Sequence, residues 1–95
     1  GGGLISNVPR MLPNNLGAKI KHENLPQPSI FNWFKKIAEI SDEDMFATFN
    51  CGIGMVLVID DKNQDTFFNL IKKDDAFFKV GTLIKSDKPN YCIIN

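Results

Sequence analysis

The sequence predicts a small layered domain of mixed class, α/β or α+β. Three observations carry that prediction. Ile30, Trp33, Phe34, Ile37 and Ala38 fall at the spacing of one helical face. The run Gly-Met-Val-Leu-Val-Ile at 54–59 is rich in strand-forming residues and has no polar alternation, as in a strand covered on both faces. Helical and extended patterns then alternate to the last residue. Ninety-five residues hold one small domain or part of a larger one. An apolar fraction of 43%, with eight Phe and one Trp, is enough for an ordinary core.

The elements follow in chain order. Residues 4–12 read as a short helix or two joined turns. Pro9 cannot sit in a helix interior, so Asn7 is expected as an N-cap with Pro9 in the first turn. Pro13-Asn14-Asn15 stops this element. Residues 17–21 alternate Ala18 and Ile20 with Lys19 and Lys21, a short extended piece, and 22–28 form a polar, proline-bearing loop. Ser29 is expected to cap the helix that carries the apolar face. Ser41 and the acids Asp42, Glu43 and Asp44 open another helix, where negative charge suits the positive helix end, and Met45, Phe46 and Phe49 are its buried side. Residues 50–54 turn into the apolar strand at 54–59. A turn at 60–63, a helix at 65–73, and strands at 76–84 and 91–94 joined by a turn at 86–89 complete the chain.

Composition excludes several classes of function. Eleven basic and eleven acidic residues cancel, so no long-range field favours nucleic acid or an anionic membrane. No apolar run approaches the roughly 20 residues of a membrane span, and no segment resembles a secretory signal. Cys51 and Cys92 form no CxxC pair, which argues against zinc or redox use and fits a reduced, cytoplasmic setting.

The chemistry concentrates at the start. Gly1, Gly2 and Gly3 allow close backbone approach to a ligand, and Arg10 is the only arginine in the chain. Asn7 and Arg10, three apart, share one face of a helix turn. Asn7 could satisfy free N–H groups while the Arg10 guanidinium points at the same place, an arrangement suited to a phosphate. The plain alternatives are a tag remnant for the glycines and a solvated surface role for Arg10. Asn50, Gly52 and Gly54 have a mainly structural reading: Asn50 ends a helix in the left-handed region and the glycines permit a sharp entry into the strand. Cys51 follows a helix C-terminus, which disfavours a thiolate, so it is not a nucleophile. His22 is expected to be solvated. Asp60-Asp61 and Asp74-Asp75 are expected in turns and caps, and the pairs Phe67-Phe68 and Phe77-Phe78 in the core. No metal ligand set and no general acid or base is nominated.

Two motifs in register make the sequence recognisable. Gly-Gly-Gly-Leu-x-x-Asn-x-Pro-Arg occupies 1–10, and Thr-Phe-Asn-x-Gly-x-Gly-Met occupies 48–55. Between them stand Leu16-Gly17-Ala18, Pro28-x-Ile30-Phe31-x-Trp33 and the acid-rich helix start before Met45-Phe46. This order and spacing resemble the C-terminal half of the aminoimidazole ribonucleotide synthetase family, the phosphoribosylformylglycinamidine cyclo-ligases, over nearly the whole chain and more weakly after about residue 60.

The resemblance implies an α+β domain that is part of a three-layer α/β/α unit with partial ferredoxin-like topology. Residues 1–95 would then be a portion of the synthetase's C-terminal domain, with the N-terminal half that binds ATP and Mg2+ absent. The implied reaction is the ATP-dependent ring closure of formylglycinamidine ribonucleotide in purine biosynthesis. Phosphorylation of the formyl oxygen turns a poor leaving group into phosphate, and a substrate nitrogen closes the imidazole. The family is a cytoplasmic homodimer. Gly1, Gly2, Gly3, Asn7 and Arg10 would wall the substrate and phosphate cleft, with Asn50, Gly52 and Gly54 shaping the domain. The chain alone is expected to be inactive. The competing functions are a non-catalytic phosphoribosyl-binding or interaction module and a related ATP-dependent synthetase or kinase.

Overall fold

In the computed structural model, residues 1–72 and 76–95 are described. Four helices are α1 (Gly3–Asn7), α2 (Ser29–Ile37), α3 (Asp42–Thr48) and α4 (Gln64–Ile71), and three strands are β1 (Leu16–Ile20), β2 (Gly81–Lys85) and β3 (Cys92–Ile94). Short 3-10 turns occupy Val8–Met11, His22–Asn24 and Asp61–Asn63. The class is α+β, as the sequence predicts.

β1 is the centre of the sheet, in the order β2-β1-β3. It runs antiparallel to β2, with Ala18 opposite Leu83, and parallel to β3, with Ala18 opposite Cys92. Ala18 and Ile20 enter the core while Lys19 points to solvent, the period-2 pattern of a strand. Leu4 and Val8 from the start of the chain, Leu25, Met45 and Phe46 of α3, and both cysteines complete the buried cluster. Ser41 caps α3, its hydroxyl accepting from the Asp44 N–H at 3.1 Å, and three acids follow in the first turn.

Several sequence expectations need correction. Residues 54–59 are not a strand: they make no backbone hydrogen bond among the described residues. A strand exists only with a neighbour, and this run pairs with none: the centre of the sheet is filled by β2 and β3 on either side of β1, and 54–59 bonds to neither of their outer edges. The strand predicted at 76–84 forms over Gly81–Lys85, where the ladder to β1 runs from Gly81 opposite Ile20 to Lys85 opposite Leu16. The helix over 65–73 begins one residue earlier and its last position, Lys73, lies outside the described residues, as do Asp74 and Asp75.

The apolar face of α2 is also not buried as a stripe. Ile30, Trp33 and Ile37 are exposed. The helix is instead held from the side, where Phe31 and Phe34 lie 6.2 and 5.7 Å from the Phe49 ring, and this aromatic contact sets its rotation. Its N-cap is Pro28, with Ser29 the first helical residue and no side-chain cap. Phe67 packs on Phe68 and Phe77, outside the buried core, and Phe78 is exposed. Asp60 does take the expected capping role, accepting from the Lys62 N–H.

Candidate functional site

The glycine run is locked by packing and by one side chain. Gly3 has φ +60°, and a Cβ there would lie 2.0 Å from the Phe46 carbonyl oxygen. Only a glycine lets α1 rest on the end of α3. The Asn7 amide then donates back to the Gly3 carbonyl at 2.8 Å and the Gly1 carbonyl at 3.1 Å. This corrects the expectation for Asn7. It opens the Val8–Met11 turn by position, with Pro9 in the first turn, but its side chain caps no N–H. It donates to carbonyls and so fixes the shape of the loop. The N–H groups of Gly3, Leu4 and Ile5, in the first turn of α1, make no hydrogen bond among the described residues.

Arg10 ends this segment on the surface, with no ion pair or hydrogen bond among the described residues. Burying an unpaired guanidinium would be costly, so an exposed position at the end of a short turn leaves it free to meet an anion.

The second motif faces the first. The chain leaves α3 at Thr48 and Phe49 is already extended. The left-handed positions are Cys51 (φ 51°) and Gly52 (φ 98°), not Asn50, whose carbonyl instead accepts from the Ile53 N–H at 3.1 Å to close the turn. Gly52 packs on Pro28. Gly54 needs no special conformation and has open space where a Cβ would sit.

Between the motifs lies a cleft of about 210 Å³. Leu4, Asn7, Val8 and Met11 form one wall, and Asn50, Ile53, Gly54, Met55 and Val56 the other. The structure thus brings Asn7, Asn50 and Gly54 together on one cavity. Gly1, Gly2, Gly3, Arg10 and Gly52 do not line it. Gly3 and Gly52 hold its walls in place from behind. Its apolar lining went unnoticed in the sequence, although Leu4 and Val8 at i and i+4 carry the signal of a shared helical face.

The remaining polar groups offer little reactivity. Burial pushes the Cys51 thiol up, with the nearby Asp42 charge adding to it, and its Sγ donates to the Phe49 carbonyl. Burial likewise raises the Cys92 thiol. Both are protonated at neutral pH and poor nucleophiles. His22 is half-buried, not solvated: its ring meets the Phe46 edge at 5.0 Å. Lys35 bonds Asp42 and holds its carboxyl below the ordinary value. Among the described residues no cluster of three or more His, Cys, Asp or Glu could hold a metal ion, so the residues present do not fit a Mg2+ site. No helix among them is long and apolar enough to cross a membrane.

Comparison with known proteins places this geometry. The family model described as AIR synthase related protein, C-terminal domain, matches residues 1–91. The phosphoribosylformylglycinamidine cyclo-ligase of Citrifermentans bemidjiense is 40% identical over 94 residues, which are 98% of this chain and 27% of that protein. The protein of that name from Staphylococcus epidermidis is 40% identical over 88 residues, 92% of this chain and 26% of the relative. That from Syntrophotalea carbinolica is 42% identical over 88 residues. The chain spans about a quarter of the length of these relatives. A match from the first glycine to Tyr91 includes both motifs and both walls of the cleft, and the chain belongs to the family of AIR synthase related proteins, as a C-terminal domain.

Proposed function

We propose that this chain is the C-terminal portion of a phosphoribosylformylglycinamidine cyclo-ligase. The parent enzyme would close formylglycinamidine ribonucleotide to 5-aminoimidazole ribonucleotide with ATP, in the cytoplasm and as a homodimer. The observation that carries the reading is that the two glycine-bearing motifs, separated in sequence by residues 11–47, face each other across one cleft in a chain 40% identical to proteins of that name.

In this reading the chain binds and orients, and carries no general acid or base. Phosphoryl transfer depends on positioning and charge neutralisation. Arg10, outside the cleft lining, would supply a fork for the substrate phosphate, and the free N–H groups of Gly3, Leu4 and Ile5 that follow the glycine run would meet the same anion. Asn7 acts by fixing the glycine carbonyls, so that the N–H groups keep their direction. Asn50 and Gly54 present a polar edge and an open backbone to the rest of the substrate, while Gly52 keeps the turn in shape. ATP and Mg2+ would be bound mainly by residues outside this chain, which is why residues 1–95 alone are expected to show no turnover.

The test is steady-state kinetics of a full-length protein carrying this chain. Arg10→Lys should raise the KM for formylglycinamidine ribonucleotide at least about tenfold, roughly 1.4 kcal/mol of binding, with Tm unchanged. An unchanged KM would remove Arg10 from the anion site.

A further inference from the structure

The outward face of α2 is apolar and open. Ile30, Trp33 and Ile37 are 62%, 59% and 67% exposed and follow one another along the helix at i, i+3 and i+7. The contacts of Phe31 and Phe34 with Phe49 fix the helix rotation, so these three side chains cannot turn inward while that contact holds. None of them lines the cleft between the glycine motifs. Trp33 is the only tryptophan in the chain. A contiguous apolar patch rimmed by polar residues marks a surface that is covered by something else.

We propose, resting on the reading of this chain as the C-terminal portion of a cyclo-ligase, that the part of the same polypeptide preceding Gly1 covers this face. Size selects that occupant. The three side chains expose only about 400 Å² together, against the roughly 800 Å² per partner that holds separate molecules in a stable complex. A second copy or a free protein would bind weakly through so small a face. A tethered segment meets it at an effective concentration on the order of millimolar and needs no larger area. The relatives supply the tether. The chain matches a C-terminal-domain model from residue 1 and about a quarter of the relatives' length, so in this reading most of the polypeptide lies before Gly1. Lys36 stands beside Ile37, three residues after Trp33, and has no ion pair among the described residues. The segment that fits is therefore apolar at its centre and acidic at its edge.

Photo-crosslinking in a full-length protein carrying this chain tests the proposal. A benzophenone amino acid in place of Trp33, and separately in place of Ile37, should join to peptides that precede Gly1. The product should run at monomer mass on a denaturing gel. In the unsubstituted protein, hydroxyl-radical oxidation of Trp33 should be several-fold slower than in the urea-unfolded protein. A product of twice the monomer mass would put a second copy on the face and overturn the proposal. Crosslinks confined to residues 1–95, or Trp33 oxidised as fast as in urea, would overturn it as well. Ring closure is assayed on the same protein. Crosslinks to the preceding segment without turnover would keep this proposal and remove the cyclo-ligase activity, whereas turnover with an open α2 face would do the reverse.

Discussion

Gly3 and Gly54 both belong to glycine-bearing motifs, but packing requires only the first. A side chain at Gly3 would collide with the Phe46 carbonyl from a left-handed backbone, whereas Gly54 meets nothing. Gly3→Ala should therefore destabilise the chain by about 2–4 kcal/mol in urea denaturation, and Gly54→Ala by no more than about 0.5 kcal/mol. Equal effects would mean that α1 does not rest on α3 as described. Asn7 shows where sequence reading reached its limit. Its importance was legible, because an Asn three residues before the only arginine and two before a proline has few plain uses. The direction of its hydrogen bonds was not. An amide donates as readily as it accepts, and only the folded backbone shows that two carbonyls, not N–H groups, lie within its reach.

At the level of elements, the local signals were reliable where they were self-contained. Ser41 with three following acids specified the start of α3 without reference to the rest of the molecule, and Ser41→Ala should cost about 1 kcal/mol. The alternation around Ala18 and Ile20 located β1. The buried side of α3, Met45 and Phe46, was also legible, and what failed were the inferences about what covers α2 and the run at 54–59. The α2 stripe and the run at 54–59 have the patterns of buried structure, but periodicity reports a preference for burial and not the presence of a neighbour. The Lys35–Asp42 pair that joins the end of α2 to the start of α3 gives a pH dependence of known sign. The Asp42 carboxyl is held below its ordinary value of 3.8, first by the Lys35 hydrogen bond. The pair's contribution is thus complete above that value and is lost as the pH falls through it toward the lowered, folded-state value. Both side chains are partly exposed, 35% and 52%, so the loss should be only a few tenths of a kcal/mol. Comparison of Lys35→Met with the unsubstituted chain by denaturation at pH 7 and pH 3 should show a difference that shrinks at the lower pH. A difference that grows would reverse the sign.

For the whole molecule, the fold class and the family were legible from two motifs in register, while the cleft between them was not. Nothing in the sequence says that residues 7 and 54 line one cleft, because that arrangement is made by α1 seating on α3 and the turn at 50–54 folding back beside it. The apolar lining, Leu4, Val8 and Met11 on one wall and Met55 on the other, follows from the same docking. We propose that residues 1–95 do the work of the corresponding quarter of a cyclo-ligase. The direct measurement is ATP-dependent ring closure by a chimera. The 94 matched residues of the Citrifermentans bemidjiense enzyme would be replaced by those of this chain, and the formation of 5-aminoimidazole ribonucleotide followed. The chimera's kcat/KM should lie within about tenfold of the unaltered enzyme's, with Arg10→Lys in the chimera raising KM. A chimera that folds and binds ATP but forms no product would contradict the proposal.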